Sequence, residues 1–169
     1  MGSQAKPLTL TFSYGSNLWI DQMKRRCPEH RLVGVAKLEK WRWFIIVRGY
    51  ANVVPSENDH VFGFVYEINA KDEKTLDRYE GVPKCYSKLT LPVELVKNID
   101  PAGAPTYVKD GKQMLDVMVY VDEENLTDGK IREEYIYRMN QAISDAVREG
   151  VPQEYVDKYL RPFIGTSET

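Results

Sequence analysis

Strand-like stretches follow one another along this chain with little helix between them. That pattern limits the fold more than any other feature. Leu8, Leu10 and Phe12 alternate with Thr9, Thr11 and Ser13, the period of a half-buried strand. Residues 31–47 (RLVGVAKLEKWRWFIIV) read as two strands or one long bent strand, with Gly34 available for a bulge. Residues 61–68 (VFGFVYEI) and 114–121 (MLDVMVYV) are further strands. Residues 87–96 alternate through Leu89, Leu91, Val93 and Leu95, and Pro92 inside them asks for an edge or a bulge. Residues 98–113 read as a turn-rich loop. A regular doubly wound sheet needs a helix after each strand, so this order excludes it. The fold class expected is α+β: a mixed, curled β-sheet or small β-barrel flanked by α-helices.

The helices are few and their limits are marked. Residues 18–27 can run helical until Pro28 stops them. Residues 70–81 open with acidic side chains and close at Gly81. The strongest helix is expected over 129–149. Ile131, Tyr135, Ile136, Met139, Ala142, Ile143, Ala146 and Val147 there form one apolar stripe. Gly150 ends it, and Pro152 can start a second helix over 152–160. The 169 residues suit one domain, expected over 7–163, with flexible tails at 1–6 and 164–169.

Charge and composition remove several function classes. A formal net charge of −2 offers no basic face for nucleic acid or an anionic membrane. The basic run Lys24-Arg25-Arg26 points in several directions on a helix and reads as a solvated face. Cys27 and Cys85 make neither a disulfide framework nor a metal-ligand pair, and His30 and His60 stand apart from any triad partner. No metal and no cofactor is expected. No apolar run has membrane length, and the first residues lack an apolar leader core, so a reduced, cytoplasmic protein is expected.

Two places carry chemistry. In SYGSNLW (13–19) a strand ends in a small-residue turn and a helix begins. Free N–H groups at such a junction bind anions. The turn is neither a Walker loop nor a dinucleotide fingerprint, and composition alone favours Ser16 or Asn17 as a plain helix cap. The second place is Glu80, at the end of the 70–81 helix, where a carboxylate meets the negative end of the helix dipole. Pattern alone reads it as a solvated Glu, although such local conflicts collect at functional sites.

TFSYGSNL (11–18) together with LDRYEGVPKCY (76–86) resembles the γ-glutamylcyclotransferase family. The likeness runs on through residues 51–69, VYVDEE (119–124) and the helical 132–160. It implies a mixed β-barrel with flanking helices and an enzyme releasing a γ-glutamyl group as 5-oxoproline. It implies that Thr11, Phe12, Ser13, Tyr14, Gly15 and Ser16 hold that group, with Asn17 and Leu18 completing the loop. Glu80 matches the family's catalytic glutamate, and Tyr86, Tyr120 and Tyr135 match its pocket tyrosines. The partner implied is a small γ-glutamyl substrate; a homodimer is allowed. The implied chemistry suits these residues, because the substrate brings its own nucleophile and one carboxylate can serve as base and then acid.

The chain departs from the family at Ser13, where a small apolar residue is usual, and in RGYANV (48–53), where Arg48 and Tyr50 border the expected leaving-group side. Three readings therefore stand: a cofactor-free γ-glutamylcyclotransferase, a γ-glutamyl or small-ligand binding module on the same scaffold, and a related enzyme performing another cyclisation or isomerisation.

Overall fold

The computed structural model describes residues 8–165. Six strands form one sheet: β1 (Thr9–Ser13), β2 (Arg31–Ile45), β3 (Ala51–Ile68), β4 (Ser87–Asn98), β5 (Tyr107–Lys109) and β6 (Lys112–Val121). Their order is β1-β3-β2-β4-β6-β5, and β1 also meets β6. That last contact is parallel, Thr11 beside Met118, whereas the other pairings are antiparallel. The sheet is thus mixed and curls until its two sides touch, as the strand-rich order predicts. Phe12, Val35, Trp43, Phe64 and Tyr66 are among the buried side chains that fill the core.

β2 is one bent strand. Its register against β3 shifts between Leu32 and Gly34 and again between Glu39 and Trp41. β3 is longer than its apolar pattern indicates. The polar run 56–60 belongs to it, because residues 51–55 pair with the second half of β2 and extend the hairpin. Pro92 lies on β4 where β6 is the neighbour, since β2 reaches only residues 94–98. Its missing N–H therefore faces no second ladder. Part of the expected 98–113 loop is a hairpin instead: β5 turns into β6 at Asp110-Gly111, both with positive φ (53° and 75°). An Asp-Gly pair takes those angles readily and matches the strand twist.

Four helical regions flank the sheet. A 3₁₀ turn (Ser16–Leu18) precedes α1 (Ile20–Arg26), so the single helix expected over 18–27 is split and shorter. α2 (Ala70–Glu80) starts at Asn69, whose side chain accepts the Asp72 N–H at 2.8 Å. α3 (Glu133–Glu149) begins four residues later than its apolar pattern indicates. Ile131 is buried outside it, and Gly129 instead donates to the Ile45 carbonyl at 2.6 Å, tying the approach to the end of β2. The closing segment runs through α4 (Gln153–Tyr155), a π turn (Val156–Leu160) and α5 (Arg161–Ile164). Ile164 is buried at its end, not part of a tail. The tail residues expected at 1–6 and 166–169 lie outside the described residues. Among the described residues, no helix is long and apolar enough to cross a membrane.

Candidate active site

Where β1 leaves the sheet, three hydrogen bonds shape the turn that follows. Trp43, fully buried on β2, donates its indole N–H to the Tyr14 carbonyl at 2.9 Å. Tyr66 on β3 donates to the Asn17 carbonyl at 2.9 Å. The Leu18 N–H returns to the Gly15 carbonyl at 3.0 Å. Side chains from two core strands thus tether the turn's carbonyls. Its N–H groups are used differently: Ser16 donates to the Tyr135 hydroxyl at 3.2 Å, while those of Gly15 and Asn17 find no acceptor among the described residues. Gly15 is required by space. A Cβ there would lie 2.8 Å from the Tyr135 hydroxyl and 3.3 Å from Ala51 Cβ.

The capping role expected of Ser16 and Asn17 is absent. α1 is preceded by Trp19 with no side-chain cap, and the hydroxyl of Ser16 and the Oδ1 of Asn17 instead accept from Gln22 Nε2 at 2.9 and 3.0 Å. Arg26 also donates to Asn17 Oδ1, at 3.2 Å. The physical reason is the 3₁₀ turn. It separates both side chains from the first turn of α1, so they turn inwards and Gln22 satisfies them.

Glu80 reaches the same space from the other side. Gly81 adopts left-handed φ and ψ (66°, 39°) and donates to Arg78 O, while Val82 donates to Asp77 O, the paired bonds of a Schellman ending. The end of α2 is pinned in addition. Asp77 accepts from the Tyr120 hydroxyl at 2.7 Å and from Lys88 Nζ at 2.9 Å, and Lys88 also holds Glu73 at 2.8 Å. Glu80 therefore sits on a fixed helix end.

Between the turn and Glu80 lies a cavity of about 290 Å³. Of the residues proposed from sequence, Phe12, Ser13, Tyr14, Gly15, Ser16, Asn17, Glu80, Tyr86, Tyr120 and Tyr135 line it. Thr11 and Leu18 do not: Thr11 is buried with its hydroxyl on Met118 O at 3.2 Å, and Leu18 is buried in the core. Arginines complete the wall. Arg26, Arg48, Arg78 and Arg138 face it with Glu80 as the one carboxylate among the described lining residues. Sequence reasoning placed Arg26 on a solvated face and passed over Arg138. Arg26 is the half-buried member of its basic run, while Lys24 and Arg25 are exposed. Arg138 lies three residues, nearly one turn, beyond Tyr135 on the same side of α3, the one spacing that could have revealed it.

The electrostatics follow from this wall. Burial pushes the Glu80 carboxyl up to about 7, against the opposing pull of Arg26, then Arg138, then Arg48. No hydrogen-bond donor holds the carboxylate among the described residues. Burial, more than any neighbour, also raises the four tyrosines, which keep their protons. Tyr14 donates its proton to Tyr120 O at 2.6 Å, Tyr86 to Ala51 O at 2.8 Å, and Tyr120 to Asp77. Tyr135 differs: it accepts from Ser16, and its own proton has no acceptor among the described residues. Among those residues no group of three or more His, Cys, Asp or Glu is placed to hold a metal ion.

A curled mixed sheet with a cavity in which Glu80 and a glycine turn both form the wall defines an α+β protein with one candidate site among its described residues. The family follows from comparison. The model of the family described as "Gamma-glutamyl cyclotransferase, AIG2-like" matches residues 11–125, and the chain belongs to that family. The Gamma-glutamylcyclotransferase of Bos taurus is 29% identical over 99 residues, which cover 51% of this chain. The match spans 50% of that relative's length. A solved structure titled "Gamma-glutamyl cyclotransferase" superposes with a TM-score of 0.71 at 22% identity, covering 90% of this chain and 86% of the other. A yeast structure, titled as a γ-glutamyl cyclotransferase specific to glutathione, superposes with a TM-score of 0.58 at 12% identity, over 87% and 90% of the two chains. At these identities the solved structures establish the shared fold.

Proposed function

We propose that this protein is a γ-glutamylcyclotransferase that works without a cofactor. The observation that carries the reading is the placement of Glu80. A carboxyl held near pH 7 faces a turn with unspent N–H groups across one cavity. Ionised Glu80 takes a proton from the substrate's α-ammonium group. The freed amine attacks the γ-carbonyl five atoms round the chain, and the C–N bond it forms closes a five-membered ring. The N–H groups of Gly15 and Asn17, with the unspent Tyr135 proton, supply donors for the oxyanion. Glu80 then returns its proton to the departing nitrogen as the original amide bond breaks, and the ring nitrogen gives up its extra proton to the amine released, leaving 5-oxoproline and a protonated free amine or amino acid. Binding in the cavity holds amine and carbonyl in attack geometry, which removes much of the barrier.

Family membership supports the reaction class, and the cavity supports the assignment of roles. The test is incubation with a panel of γ-glutamyl dipeptides and γ-glutamyl amines, with 5-oxoproline quantified. Turnover of at least one of them is expected. Stoichiometric binding with no 5-oxoproline from any would replace the enzyme with a binding module.

A further inference from the structure

Resting on the reading above, we propose that Gln22 is a positioning residue of the reaction: without touching the substrate, its side chain fixes the turn that receives the oxyanion and keeps Arg26 and Arg138 directed at the cavity. Gln22 is buried on α1 and does not line the cavity itself. Its amide nonetheless joins the groups that do. Nε2 donates to Ser16 Oγ at 2.9 Å and to Asn17 Oδ1 at 3.0 Å, and Oε1 accepts from Arg138 Nη1 at 3.2 Å. The orientation is forced, because a guanidinium donates and never accepts. Oε1 must face Arg138, which leaves Nε2 for the two side chains of the turn.

The helix that carries Gln22 is itself fixed. Met23, the next residue, is fully buried in the core, and the Ile20 N–H donates to Asp145 Oδ2 on α3 at 2.8 Å. Gln22 therefore passes the position of the core and of α3 on to the turn. Trp43 and Tyr66 hold the turn by the carbonyls of Tyr14 and Asn17, and Gln22 holds it by the side chains of Ser16 and Asn17. With carbonyls and side chains both tied, the peptide planes cannot rotate. The free N–H groups of Gly15 and Asn17 then keep one direction before substrate arrives, which is what an oxyanion site needs.

The neutrality of the amide matters as much as its place. Arg26 donates to the same Asn17 Oδ1 at 3.2 Å, so Gln22 shares an acceptor with Arg26 and bonds Arg138 directly. Those are the two arginines that pull hardest on the Glu80 proton. Glu134 holds Arg138 by its other edge, at 3.0 and 3.1 Å, and the guanidinium lies 4.9 Å over the Tyr135 ring. A neutral amide orients these cations and leaves their field to the cavity. A carboxylate at position 22 would take that field for itself. Glu80 meets Arg26 from α1, Arg138 from α3 and Arg48 from the turn between β2 and β3. The tyrosines that also face it, Tyr14, Tyr86, Tyr120 and Tyr135, keep their protons and bring no positive charge.

The test measures kcat, KM and the pH–rate profile of wild type, Gln22→Met and Gln22→Glu by 5-oxoproline release, with thermal melting to verify folding. The substrate is the γ-glutamyl dipeptide of the panel that the wild type turns over fastest. Gln22→Met keeps the length and loses the hydrogen bonds. Its kcat should fall about 10- to 100-fold with KM nearly unchanged, because a displaced oxyanion donor is felt in the transition state. Gln22→Glu should move the rising limb of kcat/KM up from about 7 to about 8, as the arginine field on Glu80 weakens. It keeps the shape of the amide beside two cations, so it gives a result even where Gln22→Met does not fold. Variants that melt lower but keep the wild-type kcat and limb mark a purely structural amide and overturn the proposal, as does a loss confined to KM. Turnover of no dipeptide by the wild type defeats the cyclotransferase reading itself, and this proposal with it.

Discussion

Replacing Glu80 by Gln separates the chemistry of the site from its architecture, because it removes one charge and almost no volume. In the folded protein the carboxyl lies near 7 instead of its ordinary 4.5. At 1.36 kcal/mol per pH unit that gap is about 3 kcal/mol. Part of Glu80 is open to the cavity, so solvent screening lowers the figure to about 1–3 kcal/mol. The sign follows from proton binding. Between pH 4.5 and 7 the folded state holds the proton more tightly than the unfolded chain, so this stabilisation is complete below 4.5 and is lost as pH rises through 7. Glu80→Gln stays neutral throughout. It should melt close to wild type at pH 4.5 and above it at pH 8, by about 3–10 °C for a chain of this size. Activity moves the other way. Wild-type kcat/KM should climb through about pH 7 as the base ionises, and Glu80→Gln should lose about 10²- to 10⁴-fold and that limb with it. Thermal scans at the two pH values and a pH–rate profile read both. A melting difference independent of pH, or a variant keeping most of its turnover, would refute the argument that burial tunes this carboxyl as the base.

Gly15→Ala should lower kcat/KM by about 10-fold or more, since the new methyl meets the Tyr135 hydroxyl at 2.8 Å and must displace it from Ser16; steady-state kinetics with 5-oxoproline detection check this. Tyr120→Phe removes the 2.7 Å bond to Asp77, and denaturant unfolding should register a loss of about 1 kcal/mol with a slower kcat, because the end of α2 that carries Glu80 is loosened.

A consequence for experimental controls also follows. Glu73 shares the helix of Glu80 and looks like an innocent neighbour in sequence. In the fold it accepts from Thr9 and from Lys88, and so helps anchor α2. Its substitution therefore perturbs the positioning of Glu80. The exposed Glu57 on β3, away from that network, is the better control.

The residues that announce themselves locally were legible without coordinates. Period-2 runs such as Leu8 to Phe12 require strands, Gly81 requires a helix ending, and the paired YGSNL and EGV stretches point to the family. These features depend on backbone preference and short-range spacing, which a linear reading contains. What tertiary structure decided is of another kind. Residues 56–60 are too polar to read as a strand, and they lie inside β3 around a bulge because residues 51–55 on one side and 60–67 on the other both pair with β2. Glu80 reads as a solvated helix end, and folding encloses it beside Arg26 and Arg138. Ser16 and Asn17 read as caps, and Gln22 draws both inwards. Burial, charge and ligand access arise from the approach of residues as far apart as Ser16 and Tyr135, 119 positions in the chain. Long-range proximity sets the local dielectric and field, so the acidity of Glu80 is a property of the fold and not of its neighbours in sequence.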